Sequence, residues 1–370
     1  MKELTPYTCE NQNIPAEALN GCLVEDADSL ELKAAMIEAA ISISTLGLGT
    51  DKQNLDTDAR TIKFDDDLRS AFNDMGKRNE ALWMPKAGKP VCCAWEWVIA
   101  RIDNIPLPLC ISQGNVGSCS GHAAHNAAMA TLINKRAFGF DVVWEEMHRI
   151  ATWYASKGDS MRGGQVLSYM ADYMCRMGMI PAKYLGNNVL TAPTRYKEFL
   201  QQAKQFQSYI AYVPITSIDQ MVEDIFLTCK AGYAVSVGNT RWPSSSKERG
   251  QGLPRKPVFG GGGGHATMVS AWRPKTVNAQ GAVFEEAISF NNSHGATLTA
   301  TSEEYTEGSE PTHSCWLTKK DAKEYLRTAK PFGEPVVYMP ESTLTNDYYK
   351  LPTEEEMYRY VCPVKGLRAV

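Results

Sequence analysis

The stretch ISQGNVGSCSGHAA, residues 111–124, places Gln113, a glycine-rich turn and Cys119 directly before an alanine-rich run. We predict a loop followed by a buried helix that begins near Cys119, with Ser118 as its cap. Backbone N–H groups and the positive dipole end at a helix N-terminus favour a thiolate. The stretch therefore predicts either a nucleophilic cysteine with a depressed pKa or one more buried structural thiol.

A thiolate nucleophile needs a group that moves protons, and His265 is the best candidate. It follows five consecutive glycines, Gly260–Gly264, and begins the predicted strand HATMVSAW. The glycine run lacks the Lys-Ser/Thr ending of a phosphate-binding loop. We interpret it as a segment that lets backbone pass close to another part of the cleft.

A second predicted strand, from about 283 to 290, leads into Asn292. Suppose that the two strands form an antiparallel hairpin in which His265 pairs with Asn292. The numbers of paired residues then always add to 557, so Trp272 faces Glu285. Both side chains then lie at one end of the sheet, where the Asn292 amide can fix the imidazole tautomer. The Gln113 side chain and the Cys119 N–H are candidates for an oxyanion hole.

These motifs resemble those of papain-family cysteine peptidases over about residues 85–330. SQGNVGSCSG resembles the signature around the nucleophile, GGGGHATMVSAW the histidine strand, and NNSHG the asparagine motif. GGQVLSYMADYMCRMGMIP resembles the glycine pair and helix of the substrate groove, and CWLTKKDAKEYL the closing strand and turn of bacterial members. His265 lies 265 − 119 = 146 residues after Cys119, inside the family range of roughly 130–150, and Asn292 at 292 − 119 = 173 lies beyond it.

The resemblance implies an α+β, papain-like fold, with a helical half packed against an antiparallel β half and the active-site cleft between them. It also implies catalytic roles for four residues and substrate binding by two more. Cys119 would be the nucleophile, His265 the general base and acid, Asn292 its orienting partner and Gln113 an oxyanion donor, while Gly163 and Gly164 would pair with extended substrate backbone.

Three positions depart from the family pattern. Val116 replaces the first motif cysteine, so the disulfide usual in secreted members cannot form there. Ser120 replaces the Trp after the nucleophile, and His294 replaces the Trp that shields the His–Asn pair. We therefore expect another side chain to cover His265 and Asn292, either His294 or an aromatic residue from a terminal extension.

The resemblance leaves both ends of the chain outside the peptidase domain. We assign 1–85 to an N-terminal extension, 86–330 to the papain-like domain (86–232 helical, 233–330 β) and 331–370 to a C-terminal extension. Amphipathic helices are predicted over about Leu30–Ser44 and Asp66–Met75. The N-terminal extension is either a propeptide lying in the cleft or a permanent docking segment. We prefer the docking segment.

Composition excludes several classes of function. The net charge is −4 with no basic block, which argues against nucleic acid as the main partner. No apolar run has the length of a membrane span or the position of an export signal. Ten scattered cysteines without a CxxC motif suggest reduced thiols, so we expect a cytoplasmic protein or one within a larger assembly.

We predict no cofactor and no metal. Cys119, His122 and His125 fan over about 120° of a helix, which suits one ion poorly. The leading hypothesis is a cysteine endopeptidase-like hydrolase acting on polypeptides through an acyl-enzyme. The alternatives are a structural or assembly protein that keeps a papain-like fold with little or no turnover, and an acyl transferase to an amine.

Overall fold

A computed structural model describes residues 22–23, 60–83, 112–247, 256–294, 298–299 and 311–344, apart from residues 139, 141, 144, 187, 278–280, 282 and 313. The helix predicted over Leu30–Ser44 lies outside this part of the chain. Within it, helices pack against an antiparallel sheet, so the predicted α+β fold class is confirmed. The papain-like resemblance implies this architecture.

The helices and strands of the described residues follow one another along the chain without an internal repeat. The helices are α1 (Asp66–Asn79), α2 (Cys119–Ala137), α3 (Ala151–Ser156), α4 (Leu167–Arg176), α5 (Ala182–Leu185), α6 (Leu200–Ala203), α7 (Ile218–Lys230) and α8 (Lys319–Leu326). The strands are β1 (Cys22–Leu23), β2 (Gln165–Val166), β3 (Ser208–Tyr212), β4 (Ala234–Asn239), β5 (Trp242–Lys247), β6 (Lys256–Gly260), β7 (His265–Arg273), β8 (Thr276–Val277), β9 (Val283–Phe284), β10 (Ala287–Asn291), β11 (Leu298–Thr299), β12 (Pro311–Thr312), β13 (Ser314–Thr318) and β14 (Val336–Pro340).

The central sheet has six antiparallel strands in the order β13-β10-β7-β4-β14-β3. Strand β14 comes from the segment that the sequence assigns to the C-terminal extension, and it lies between β4 and β3. Strand β3 comes from the predicted helical half. The sheet therefore extends beyond the sequence-based boundaries at 232 and 330.

Strand β7 lies in the interior of this sheet, and helix α2 packs across it. All nine residues of β7 are buried, as a strand covered on both faces requires. Small residues in α2 allow close approach, as predicted: a Cβ added at Gly121 would lie 2.6 Å from the Trp153 Cβ of α3. The strand of His265 and the helix of Cys119 thus share one core.

Part of the predicted N-terminal extension also belongs to this core. Helix α1 fulfils the prediction over Asp66–Met75 and packs against α7, where Arg69 Nε lies 2.9 Å from Asp224 Oδ1. Phe72 is fully buried, with its ring centroid 5.1 Å from that of Tyr233. Residues 60–83 are therefore packed against the domain rather than separate from it.

The predicted hairpin register, in which the numbers of paired residues add to 557, is wrong. Trp272 pairs with Ile288, a sum of 560, and Asn291 pairs with Met268, a sum of 559, with an irregularity between Ile288 and Phe290. Trp272 instead donates a hydrogen bond from Nε1 to Glu286 Oε1 at 2.7 Å. Sequence alternation did not reveal this irregularity, which shifts the pairing by one residue.

The glycine run allows the close backbone approach that the sequence suggested. Gly261 has φ +129°, and a Cβ there would lie 2.1 Å from the Thr240 carbonyl oxygen and 2.9 Å from the Trp242 ring. The run therefore leads from the β5–β6 hairpin into β7 while packed against the start of that hairpin.

No helix in the described residues combines the length and apolar content that crossing a bilayer requires.

Candidate active site

The structure places Cys119 at the first turn of α2, as predicted, and against the first residues of β7. Its Sγ accepts a hydrogen bond from the Ala266 N–H at 3.3 Å. Ser118 occupies the N-cap position, but its hydroxyl makes no hydrogen bond to the helix backbone and lies 3.2 Å from His122 Nδ1. The predicted side-chain cap is therefore absent, and the nucleophile candidate is positioned by a strand amide.

His265 and Asn292 are brought together despite the shifted register. The His265 Nε2 and Asn292 Oδ1 atoms lie 2.8 Å apart, and the same oxygen accepts the Ser293 N–H at 2.8 Å. Because an amide oxygen only accepts, Nε2 carries the hydrogen and a neutral ring keeps Nδ1 unprotonated. That Nδ1 is buried, and no described residue forms a hydrogen bond with it.

Gln113 is tied to the asparagine segment by two hydrogen bonds. Its backbone N–H donates to the Ser293 carbonyl at 2.8 Å, and the Ser293 hydroxyl donates to Gln113 Oε1 at 2.5 Å. Its Nε2 donates to the Val116 carbonyl at 2.9 Å. The loop before Cys119 and the residue after Asn292 are therefore fixed together, while the oxyanion role of Gln113 stays a prediction.

Two aromatic rings cover His265, which confirms the expectation of a replacement for the missing Trp. The His294 ring stacks on the His265 ring with centroids 4.0 Å apart and an interplanar angle of 21°. Trp242 of β5 contacts the same ring at 4.6 Å and His294 at 5.9 Å. Trp242 comes from neither terminal extension, so the cover is only partly the one expected.

The prediction that the pKa of Cys119 is depressed is wrong, because the thiol is buried. Cys119 and His265 are both fully buried. Burial raises the pKa of the Cys119 thiol to about 12, and the backbone N–H groups of Ala266, Ser120 and Cys119 itself oppose this only in part. Burial likewise lowers the pKa of His265 to about 4, although the hydrogen bond with Asn292 acts to raise it. The pair is neutral at pH 7.

The predicted substrate edge lies beside a lysine that the sequence did not single out. Gly163 has φ +69° and its carbonyl accepts a hydrogen bond from Lys157 Nζ at 2.6 Å. Gly164 precedes β2, and β2 pairs in parallel with β1, so that Gln165 is opposite Cys22. This edge therefore already binds one extended segment of the same chain.

His122 and His125 are buried inside the protein rather than arranged around an ion. His125 Nδ1 lies 2.8 Å from the Gly121 carbonyl, and His122 Nδ1 lies 3.0 Å from the Ser118 carbonyl. Burial lowers the pKa of each to about 3. No group of three potential metal ligands occurs among the described residues.

Trp242, Ser293 and Lys157 also lie at this site, although no sequence motif singled them out. Ser293 could have been found, because it directly follows Asn292 in the NNSHG motif. Trp242 comes from a separate hairpin, and Lys157 lies six residues before Gly163 in a segment without a recognisable motif. Only the folded chain shows that these two side chains reach the site.

Replacing Trp242 by Ala is expected to raise the pKa of His265 by about one unit. Burial is the largest cause of the lowered value, and loss of the indole admits water to the ring. The titration of the His265 imidazole, followed by NMR, measures this change. Trp242→Phe keeps an aromatic cover and is the matched control, so an unchanged pKa in Trp242→Ala would contradict a covering role.

Comparison with known proteins finds similarity at the level of solved structures. No protein-family model matches this sequence. No curated protein matches it at a significant level. Xylellain, a cysteine protease from Xylella fastidiosa, is similar with 14% identity and a TM-score of 0.42, over 65% of this chain and 88% of that one.

Two further solved structures are similar to this chain. The bromelain protease from Ananas comosus has 12% identity and a TM-score of 0.37, over 63% of this chain and 93% of that one. Digestive procathepsin L 3 of Tenebrio molitor has 11% identity and a TM-score of 0.40, over 85% of this chain and 99% of that one. At such identities and TM-scores the support for chemistry comes from this chain's own residues: the cysteine of one helix, the histidine of one strand and the asparagine beside it.

Proposed function

We propose that this protein is a cysteine peptidase that hydrolyses peptide bonds through Cys119, His265 and Asn292. One observation carries the proposal: the Asn292 bond to His265 Nε2 leaves Nδ1 as a buried, unprotonated base. The Cys119 sulfur lies against the backbone N–H of the next residue, Ala266. The proposed nucleophile is thus held at the residue next to the proposed base, and Asn292 orients that base, which supports the assignment of these roles.

In the proposed reaction His265 Nδ1 takes the proton from the Cys119 thiol while the sulfur attacks the substrate carbonyl carbon. The C–S bond forms, and negative charge develops on the carbonyl oxygen, where the Cys119 N–H and Gln113 are the proposed donors. The peptide C–N bond then breaks, and the leaving amine receives the proton from His265. Water next attacks the acyl carbon while His265 takes a proton from it, the C–S bond breaks to release the acid, and His265 returns the proton to the Cys119 sulfur.

Burial of both groups favours general-base catalysis over a preformed ion pair. A thiol with a pKa near 12 and an imidazole with a pKa near 4 both remain neutral at pH 7. Proton transfer then accompanies attack on the carbonyl. Asn292 supports this step because it keeps the imidazole in the tautomer that presents Nδ1 as a base.

We propose that Gly163 and Gly164 hold the substrate backbone at the edge that leads into β2. The parallel pairing of β1 with β2 supports this, since it shows that extended backbone fits there. In this resting arrangement the N-terminal extension takes part of the same edge. That position fits the propeptide-like alternative for this segment better than docking at a distance from the cleft.

Complete burial of Cys119 and His265 also favours the second candidate function, an assembly protein with little or no turnover. In that case the neutral pair would be a packed remnant of a catalytic site. The two candidates differ in one property, the ability of Cys119 to form a covalent bond with an electrophilic peptide.

Labelling with a peptide epoxide or vinyl sulfone, located by mass spectrometry, tests the proposal. We expect Cys119 to be modified first among the ten cysteines, because a peptide reagent that binds at the site brings its electrophile to the sulfur beside the proposed base. Cys119→Ala should abolish labelling, whereas Cys229→Ala, which removes another buried thiol, should not. Labelling of a different cysteine, or none in the native protein, would favour the assembly protein.

A further inference from the structure

We propose that this site selects acidic peptides, because Lys157 and Arg162 place two cations beside the glycine pair that is proposed to hold the substrate backbone. The inference rests on the proposed function and deepens it, since it names the chemical class of the substrate. It follows from three features of the segment 157–164: the position of the lysine ammonium, the space beside Gly163, and the absence of a described carboxylate paired with either cation.

The ammonium group of Lys157 is held at the glycine pair by backbone carbonyls. Nζ donates to the Gly163 carbonyl at 2.6 Å and to the carbonyl of Arg162. Gly158, Asp159 and Gly163 have φ values of +62°, +65° and +69°. These left-handed conformations turn the segment back on itself and bring the two carbonyls to the ammonium. The charge is therefore fixed at a defined place beside Gly163.

The space beside Gly163 is open towards that ammonium. Apart from its chain neighbours, a Cβ added at Gly163 would have only Lys157 Nζ within 4 Å among the described residues, at 3.8 Å. The pairing of β1 with β2 begins at Gln165, so no described strand lies opposite the glycine pair. Paired strands lie about 5 Å apart, a distance that a glutamate side chain can span. A carboxylate of a peptide bound at this edge can therefore reach the ammonium.

The positive charge of this edge is not cancelled within the described part of the chain. Lys157 and Arg162 form no ion pair with a described carboxylate, and the Arg162 side chain is exposed. Asp159 is the one acidic residue of the segment 157–164, and it is bonded instead to Lys197 at 2.8 Å. Burial lowers the pKa of Lys157 to about 8, which leaves it a cation at pH 7. The whole chain has a net charge of −4, so this edge differs in sign from the protein as a whole.

The two cations distinguish acidic peptides from other peptides. A basic side chain at this edge meets like charge, and a neutral side chain gains no ion pair, so both bind less tightly than a carboxylate. Ion pairs near the surface are individually weak. We therefore expect each cation to contribute a factor of about three to the preference, and both together a factor of about ten.

Equilibrium binding of peptides to the full chain tests this inference. The protein carries Cys119→Ala, so that bound peptides are not cleaved. Peptide pairs differ only by Glu or Gln at one position, which is moved along the peptide from pair to pair. Where that position lies beside Gly163, we expect the Glu peptide to bind about tenfold more tightly, as measured by fluorescence anisotropy at pH 7. Added salt should reduce the preference, because it screens the ion pairs.

Variants at the two cations assign the preference. Arg162→Gln and Lys157→Met should each reduce the ratio of Glu to Gln affinity about threefold, and the double variant should bring it close to one. Lys157→Arg keeps the charge and should restore most of what Lys157→Met loses. Lys77→Gln removes an exposed lysine of α1 and should leave the ratio unchanged. A ratio of one at every position, a preference that survives the double variant, or an equal fall in Lys77→Gln would overturn the proposal.

Hydrolysis of the same peptides by the chain with Cys119 intact separates this inference from the proposed function. Preferential binding of the Glu peptides without hydrolysis would support the role of Lys157 and Arg162 and contradict peptidase activity. Hydrolysis of Glu and Gln peptides at equal rates would support the peptidase and overturn the selection of acidic substrates. If no peptide binds, the glycine pair does not hold a substrate backbone, and the inference fails with it.

Discussion

Replacing Cys119 by Ala is expected to reduce peptide hydrolysis by at least about 10³-fold, and His265→Ala should have a similar effect. The first change removes the sulfur of the proposed nucleophile, and the second removes the proposed base, whose Nδ1 has no hydrogen-bond partner among the described residues. Because the two residues act in one step, the double variant should be little worse than either single variant. Hydrolysis of a broad peptide library measures all three.

Cys229→Ala is the matched control for this experiment. Cys229 is a fully buried thiol on α7, so its removal leaves a similar cavity without touching the site. This control should keep activity while losing some stability. Hydrolysis that survives Cys119→Ala would show that the nucleophile is misassigned, and a wild type inactive on every peptide would favour the assembly protein.

Acidification from pH 7 to pH 5 is expected to lower the free energy of unfolding by several kcal/mol. Burial lowers the pKa of His122 and His125 to about 3, and that of His148 and His265 to about 4. In the unfolded chain each histidine has a pKa of about 6.5. Between these values the unfolded state binds more protons, so stability is complete above about pH 6.5 and is lost progressively towards pH 4.

The size of this effect makes acid unfolding a realistic outcome. At pH 5 each of the four histidines destabilises the fold by about 2 kcal/mol, against a total stability of roughly 5–15 kcal/mol. Denaturant titrations at a series of pH values measure the change. His125→Gln should reduce the pH dependence by about 2 kcal/mol at pH 5, whereas Glu198→Gln, in an exposed ion pair with Arg195, should not. An unfolding free energy that is constant between pH 7 and pH 5 would contradict the prediction.

Local sequence predicted the elements of this protein well, because they depend on nearby residues. Helix α1 covers the predicted stretch Asp66–Met75, and β7 begins at His265 as predicted. The glycine-rich loop likewise marked the start of α2. These signals require no knowledge of the rest of the fold.

Sequence was less informative wherever distant segments meet. The pairing of β14 with β4 and β3 depends on contacts across the whole domain, so Val336–Pro340 was assigned to an extension. The predicted register assumed that His265 pairs with Asn292. The observed sums of 559 and 560 exceed the assumed 557 by two and three residues, and the irregularity in β10 accounts for only one of these. Burial, which sets the pKa of Cys119, is a property of the assembled core and outweighs the helix N-terminus that the sequence displayed.

The long separation between the parts of the site has a consequence for folding. The Cys119–Ala266 hydrogen bond joins residues 147 apart, and the Ser293–Gln113 bond joins residues 180 apart. Contacts of this kind are slow to form, because a long loop must be closed before any stabilisation results. During synthesis the chain makes α2 long before it makes β7 and Asn292. A nascent chain therefore carries the Cys119 thiol before the Ala266 amide exists to bind it. The proposed nucleophile and base come together only after β7 has been made and has packed on α2.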